Sequence, residues 1–392
     1  MKTVQARRAS AKLVARPVAY LDNNATTPLS AAALERMQEL LQALPGNAAS
    51  MHRLGVAARD CLEQARARFA HHLGGTAQIL FTSGATEGNG LCLLGALRHP
   101  ANRCEQLVVS ELEHSSVYDY LELPPERPVV ACKALASGIP DVDHLEQLVA
   151  GRRSLVSMMH VNNETGVIFP LADIAEIVHR HGGLLHVDAA QSVGKMALGE
   201  VLRHADALTL SAHKFQGPLG VGAIAVLRRQ FQLAPVIAGG GQEGGVRSGT
   251  VNVPAIAAAA VALEEAAAAP APGPELRDDL EAFVERCVPH CLVVGRGAPR
   301  LWTTSYICFP GLLQEDLIEA LSVRGVHAGT GSACNSALHE SRVLRNMGIE
   351  RLYNQGGVRF SFSRCTTRTA LQRLVEVFPA AYADAMERSP YR

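Results

Sequence analysis

Two short apolar runs, each cut off by polar residues, constrain this chain more than any other feature. Leu184-Leu-His-Val-Asp-Ala-Ala-Gln191 runs into Asp188 and Gln191, and Leu208-Thr-Leu-Ser-Ala-His-Lys-Phe-Gln-Gly217 runs into Ser211, His213 and Lys214. Runs this short and this apolar read as buried strands. One that stops at a carboxylate and another that stops at Ser-Ala-His-Lys predict a site at the carboxyl ends of a parallel sheet. A lysine alone proves little, because most lysines are solvated.

The flanking sequence repeats the pattern. Apolar runs predict strands over 79–81, 106–110, 155–160 and 301–309, and 358–363 alternates as a strand. Helical spacing covers 30–44, 56–73, 170–181, 255–269, 314–323 and 367–386. Ser30 caps the first helix, with Leu34, Met37, Leu40 and Leu41 on one face. Alternation of strand and helix predicts an α/β fold around a mostly parallel sheet. The segment 217–227 reads as a turn and a buried strand, and the glycine-rich 239–250 as a long flexible loop. Pro270-Ala-Pro-Gly-Pro274 is the clearest linker. It divides the chain into a leader or arm (1–19), a large domain (20–269) and a smaller α/β domain (270–392).

Composition narrows the function classes. At 392 residues the chain is too long for one ordinary core. Thirty-seven basic and 37 acidic residues balance, which argues against a nucleic-acid partner. No apolar run approaches the length needed to span a bilayer. Nine cysteines without paired spacing predict free thiols in a reduced, cytoplasmic protein. Lys2, Arg7, Arg8, Lys12 and Arg16 precede any acidic residue, so the first nineteen residues read as a flexible leader or surface arm, with an organelle transit peptide as the alternative. Cys287 and Cys291 lack the second pair that structural zinc needs. His71, His72, His179 and His181 read as solvated helix ends, and Arg36, Arg53, Arg66 and Arg68 as solvated helix faces.

The polar strand ends supply a specific chemical set. Lys214 can form a Schiff base with an aldehyde. Asp188, at a buried strand end, can hold a pyridinium nitrogen in its protonated state. The glycine turn at Ser83-Gly-Ala-Thr86 opens a helix whose free N–H groups can seat a phosphate, with Thr86 adding a hydroxyl. Its spacing fits neither a Walker loop nor G-x-G-x-x-G, and an ordinary capped helix is the plainer reading of that segment by itself. Together these are the parts of a pyridoxal phosphate site.

Eight segments in order resemble the cysteine desulfurases of the NifS/IscS type, within the class V aminotransferase group. They are Tyr20-Leu-Asp-Asn-Asn-Ala-Thr-Thr-Pro28, Phe81-Thr-Ser-Gly-Ala-Thr-Glu87, Met159-His-Val-Asn-Asn-Glu164, His186-Val-Asp-Ala-Ala-Gln-Ser192, Ser211-Ala-His-Lys214, Arg247-Ser-Gly-Thr250, Gly331-Ser-Ala-Cys334 and Val358-Arg-Phe-Ser361. The resemblance implies a fold type I pyridoxal phosphate enzyme, with a mostly parallel seven-stranded sheet in its large domain. Carried over by position, it implies Lys214 as the cofactor's attachment point and proton carrier, Asp188 on the ring nitrogen and Gln191 on the phenolic oxygen. It puts His114 against the ring as a proton shuttle, and Ala85, Thr86, Ser211 and His213 on the phosphate. Thr250 would reach that phosphate from the second subunit of a homodimer. Asn163, beside the cofactor, and Arg359 would hold the carboxylate of L-cysteine.

Cys334 discriminates between activities. A free cysteine is usually a small buried hydrophobe, and the other eight take that reading. Cys334 sits among Gly329, Gly331, Ser332 and Ala333, which cannot build a core. An ordinary thiol is only a few per cent thiolate at neutral pH, and cations near a cofactor raise that share. The implied reaction gives alanine and a Cys334 persulfide by thiol attack on sulfur, then passes the sulfur to an acceptor protein. An aminotransferase or selenocysteine lyase on the same fold is the alternative, and a silent scaffold for sulfur transfer is a third. The sequence departs from the family pattern at Gly244, where related enzymes often carry arginine, and at Thr330, where serine is usual. Its end, Ser-Pro-Tyr-Arg392, shows no evident scaffold-docking tail.

Overall fold

A computed structural model describes residues 19–123, 127–331 and 340–389. Seven strands form the central sheet in the order β2 (Gln78–Thr82), β8 (Gly222–Val226), β7 (Ala207–Ser211), β6 (Leu184–Asp188), β5 (Ser154–Met159), β3 (Gln106–Ser110) and β4 (Val129–Cys132). Only β8 runs against its neighbours. The carboxyl ends of β2, β3, β5, β6 and β7 therefore lie on one edge, and β8 begins there with Gly222 paired to both Thr82 and Ser211. Strands β3, β5, β6, β7 and β8 are buried at every position. A sheet covered on both faces needs continuous apolar strands, which is why these runs do not alternate.

Five helices of eight or more residues accompany the large sheet before the proline-rich linker: α1 (Ala31–Ala43), α2 (Arg53–His72), α3 (Ala85–Arg98), α4 (Val142–Val149) and α5 (Leu171–Arg180). A sixth, α6 (Val253–Ala268), is alanine-rich and receives both α1 and α2. The Ser30 hydroxyl accepts from Ala33 N–H and starts α1 as expected. The buried stripe of α1 differs from the expected one. Ala33 and Leu40 are buried and Met37 is partly so, while Leu34 and Leu41 face outward. Alanines on α6 permit close approach, so the shorter side of α1 is the one that packs.

A three-stranded antiparallel sheet, β12 (Gly357–Ser361), β10 (Thr304–Cys308) and β9 (Leu292–Val293), forms a second layer with α7 (Glu275–Cys287), α8 (Gln314–Ser322) and α9 (Arg368–Arg388). β1 (Ala19–Leu21) comes first in the chain yet pairs in parallel with β11 (Val326–Ala328). Ala19 and Leu21 accordingly pack among Phe360, Phe362 and Phe378. Strand β4 and helices α4 and α7 have no counterpart in the sequence reading. Each is short or charged on one side, so its apolar signal is weak.

Three expectations about the surface need correction. The 239–250 segment contains a 3₁₀ turn over Glu243–Gly245 and is anchored. Glu243 is buried, accepts Phe81 N–H at 2.7 Å and pairs with Arg66 at 2.8 Å. Arg66 also donates to Ile79 O and lies 4.9 Å over the Phe81 ring, so it is no solvated helix residue. Breaking a pair this desolvated costs about 3–5 kcal/mol, enough to hold Glu243 at φ +49°. His179 and His181 are likewise paired, with Asp206 and Glu146. Among the described residues no cluster of His, Cys, Asp and Glu could hold a metal ion, and no helix is long and apolar enough to cross a membrane.

Candidate active site

The polar strand ends meet around one cavity of about 570 Å³ on the carboxyl edge of the sheet, a volume suited to a cofactor-sized ligand. Ala85, Thr86, His114, Asn163, Asp188, Gln191, Ser211, His213, Lys214 and Arg359 all line it. Parallel strands deliver most of these residues to one edge, and β12 of the smaller sheet brings Arg359 to them.

Each side chain is set by its local structure. Lys214 follows β7 on a 3₁₀ turn, and its amine donates to Asn24 O at 2.5 Å and Ala25 O at 2.9 Å. Among the described residues no carboxylate is hydrogen-bonded to it, so burial, helped by nearby Arg359, lowers its pKa to about 8. Asp188 ends β6, where one carboxylate oxygen accepts Ala190 N–H at 2.9 Å and the other the Asn89 amide at 2.8 Å. Asn89 is fully buried and bonded in turn to Thr209.

His114 caps the short helix Ser115–Tyr118, its Nδ1 accepting Ser116 N–H at 3.1 Å. Burial lowers its pKa, so the neutral ring carries its proton on Nε2. His213 is pushed down to about 4 by burial and then by Lys214 and Lys195, and stays neutral as well. Arg359, on β12, donates to Asn163 O at 3.0 Å and to Asp22 at 2.8 Å.

The start of α3 is open to a ligand. Gly84 precedes it with no side-chain cap, leaving the first-turn N–H groups toward the cavity that Ala85 and Thr86 line. The turn lies so close to β8 that a Cβ on Gly222 would come within 2.6 Å of the Gly84 backbone. Gly222 therefore has to be glycine for this seat to exist. Glu87 ties the turn down, accepting Ser83 N–H and pairing with Arg247 at 2.6 Å.

An amine with its pKa lowered to about 8, a buried carboxylate with its own partners and an uncapped helix start face one cavity. This donor set fits pyridoxal phosphate: an attachment point, a partner for a protonated ring nitrogen and a phosphate seat.

Two expected residues are not gathered here. Thr250 lines a separate cavity of about 580 Å³, with Arg66, Gln242 and Glu243. Cys334 lies outside the described residues, although Gly331, three positions before it, borders the Lys214 cavity. The remaining cysteines do not share one environment: Cys61, Cys92, Cys104, Cys132 and Cys308 are buried, Cys291 is intermediate, and Cys287 and Cys365 are exposed. The sequence reading assigned no role to Asn24, Asn89 or Lys195. Asn24 lies inside the quoted first motif, whereas Asn89 and Lys195 carry no signal separating them from ordinary helix or turn residues.

The class V aminotransferase family matches residues 19–374, nearly the whole chain. Among curated relatives, the cysteine desulfurase of Cereibacter sphaeroides is 38% identical, over 95% of this chain and 97% of its own. Among solved structures, a NifS-like protein from Rickettsia africae matches with a TM-score of 0.85 at 29% identity, over 94% of this chain and 100% of its own. A structure described as SspA in complex with cysteine matches at 0.75 and 29%, over 88% and 98%. The chain belongs to the class V aminotransferase family, and within it to the cysteine desulfurases.

Proposed function

We propose that this cysteine desulfurase works as a cytoplasmic homodimer, holds pyridoxal phosphate on Lys214, takes sulfur from L-cysteine onto Cys334 and passes it to an acceptor protein. The convergence of Lys214, Asp188 and Arg359 on one cavity carries this reading. The division into a cofactor-bearing part to residue 269 and a Cys334-bearing part from 270 belongs to it.

Pyridoxal phosphate, when bound, supplies an aldehyde carbon for exchange of amines and a ring that accepts the electron pair left when a Cα–H bond breaks. The chain's own residues do the rest. Ala85, Thr86, Ser211 and His213 hold the phosphate. Asp188 keeps the ring nitrogen protonated, and Gln191 donates to the phenolic oxygen. Arg359 and Asn163 hold the substrate carboxylate, which fixes the direction of the Cα–H bond. The Lys214 amine, once free, takes the Cα proton, and His114 donates from Nε2. The Cys334 thiolate attacks the substrate sulfur; the S–S bond forms as the C–S bond breaks. Alanine leaves after protonation, and the persulfide stays on Cys334.

Protein loaded with pyridoxal phosphate and given cysteine with a thiol reductant should release alanine and sulfide in equal amounts. Pyruvate with ammonia in place of alanine, or turnover of selenocysteine alone, would overturn the reading.

The lowered pKa of Lys214 sets a pH dependence. A lysine near 10.5 would be about 0.03% neutral at pH 7, and one near 8 about 10%. Attachment of the aldehyde needs the neutral amine, so the rate of cofactor uptake by the apoprotein should rise with pH and be half-maximal near pH 8. Stopped-flow absorbance across roughly pH 6–10, about two units either side of that midpoint, checks this.

Thr250 tests the dimer. Because it lines a cavity apart from Lys214 in its own chain, the proposal needs a second copy to bring it in. Thr250→Ala should weaken cofactor binding about tenfold, the worth of one hydrogen bond to a charged group. Mixed with inactive Lys214→Ala subunits, it should regain activity, since each mixed dimer has one intact site. Absence of complementation in exchanged dimers argues against a shared site.

A further inference from the structure

Lys195 is buried four residues after Gln191 and has no carboxylate partner among the described residues. Its amine donates to Gln191 Oε1 at 2.5 Å and to Asn24 Oδ1 at 3.3 Å. Its backbone is held in place: Trp302 Nε1 donates to Lys195 O at 2.8 Å. The preceding Gly194 sits at φ +75°, where a Cβ would come within 2.5 Å of Phe215. Burial, together with Lys214 and Arg359, holds the amine well below the usual lysine pKa. A buried amine lacking a carboxylate partner is costly, so its two acceptors say what it is used for.

A carboxamide has one acceptor end and one donor end. With its oxygen held by Lys195, Gln191 must turn its NH₂ the other way. One hydrogen of that group goes to Asn24 O at 3.1 Å, the same carbonyl that accepts the Lys214 amine. The second is left for the cavity that Gln191 lines. We propose that Lys195 is a positioning residue that fixes the Gln191 amide as a donor toward the cofactor's phenolic oxygen and, through the shared Asn24, aligns it with Lys214. The inference rests on the pyridoxal phosphate reading of the site.

Donation to the phenolic oxygen favours its ionised form and makes the lysine-bound cofactor easier to deprotonate. Without Lys195 the amide is free to turn its oxygen inward, which works the other way. Lys195→Met is therefore expected to raise the pH midpoint of the cofactor's visible absorption change by roughly half a unit or more. It is also expected to weaken cofactor binding to the apoprotein about tenfold. Lys195→Gln, which keeps a donor, should restore much of both. In a Gln191→Ala background, Lys195→Met should add no further shift in midpoint, since the effect acts through that amide. Lys195→Leu carries the same test if methionine does not pack. If Lys195→Met titrates like the wild type, or shifts the midpoint equally with and without Gln191, the positioning role is overturned. If the wild type itself takes up no cofactor, the reading of the site falls first.

Discussion

Lys214→Ala protein is expected to show no visible band of a lysine-bound cofactor, and to turn over cysteine at least about 10³-fold more slowly. Two roles are lost at once, covalent attachment and removal of the Cα proton. The phosphate seat at the start of α3 and the Asp188 carboxylate are untouched, so pyridoxal phosphate should still bind without a covalent link. Borohydride treatment followed by mass spectrometry reads this directly. The wild type should gain the mass of the reduced cofactor on Lys214, and the variant should not. A variant that kept both the band and the turnover would remove Lys214 from the site.

Cys334→Ala should separate cofactor chemistry from sulfur transfer. Its visible band should match the wild type, while alanine formation should fall about 10³-fold or more, because no thiolate receives the sulfur. Burial explains why four of the other cysteines do not substitute. Burial pushes Cys104 up to about 11 and Cys132 to about 12, and raises Cys92 and Cys308 further. Such thiols supply almost no thiolate at neutral pH. Cys365 is exposed but does not line the Lys214 cavity; Cys365→Ala should leave turnover unchanged. After brief exposure to labelled cysteine without reductant, the label should sit on the peptide containing Cys334. Label on Cys365 in its place would reassign the nucleophile.

How legible the site was depended on where each residue sits. Asp188 and Lys214 were readable because a polar group ending a buried strand is rare and stands out in an apolar run. The phosphate seat was readable because a glycine turn opening a helix has a fixed consequence for free N–H groups. Asn89 was not readable: an asparagine inside a helix pattern looks solvated until that helix is laid across the sheet, where it meets both Asp188 and Thr209. Arg66 failed the same way. Helical spacing placed it outward, and only packing on β2 showed Glu243 waiting for it. The stripe Leu34, Leu41 on α1 was misjudged because apolar residues mark a face, while the neighbour decides which face is buried.

By itself, the sequence determined the chemistry available: a lysine and a carboxylate at strand ends, an open helix start and a thiol among small residues. It also determined the α/β class, because continuous apolar runs between helices leave few other ways to be buried. The tertiary structure decided which of these groups meet. It brought β12's Arg359 to Asn163 and Asp22, kept Thr250 apart from Lys214, and placed the Lys195 amine behind Gln191. The reason is physical. Residue type and local spacing specify what a group can do and which element carries it. Distance, desolvation and partnership depend on segments remote in the chain, and those exist only once the sheet has assembled.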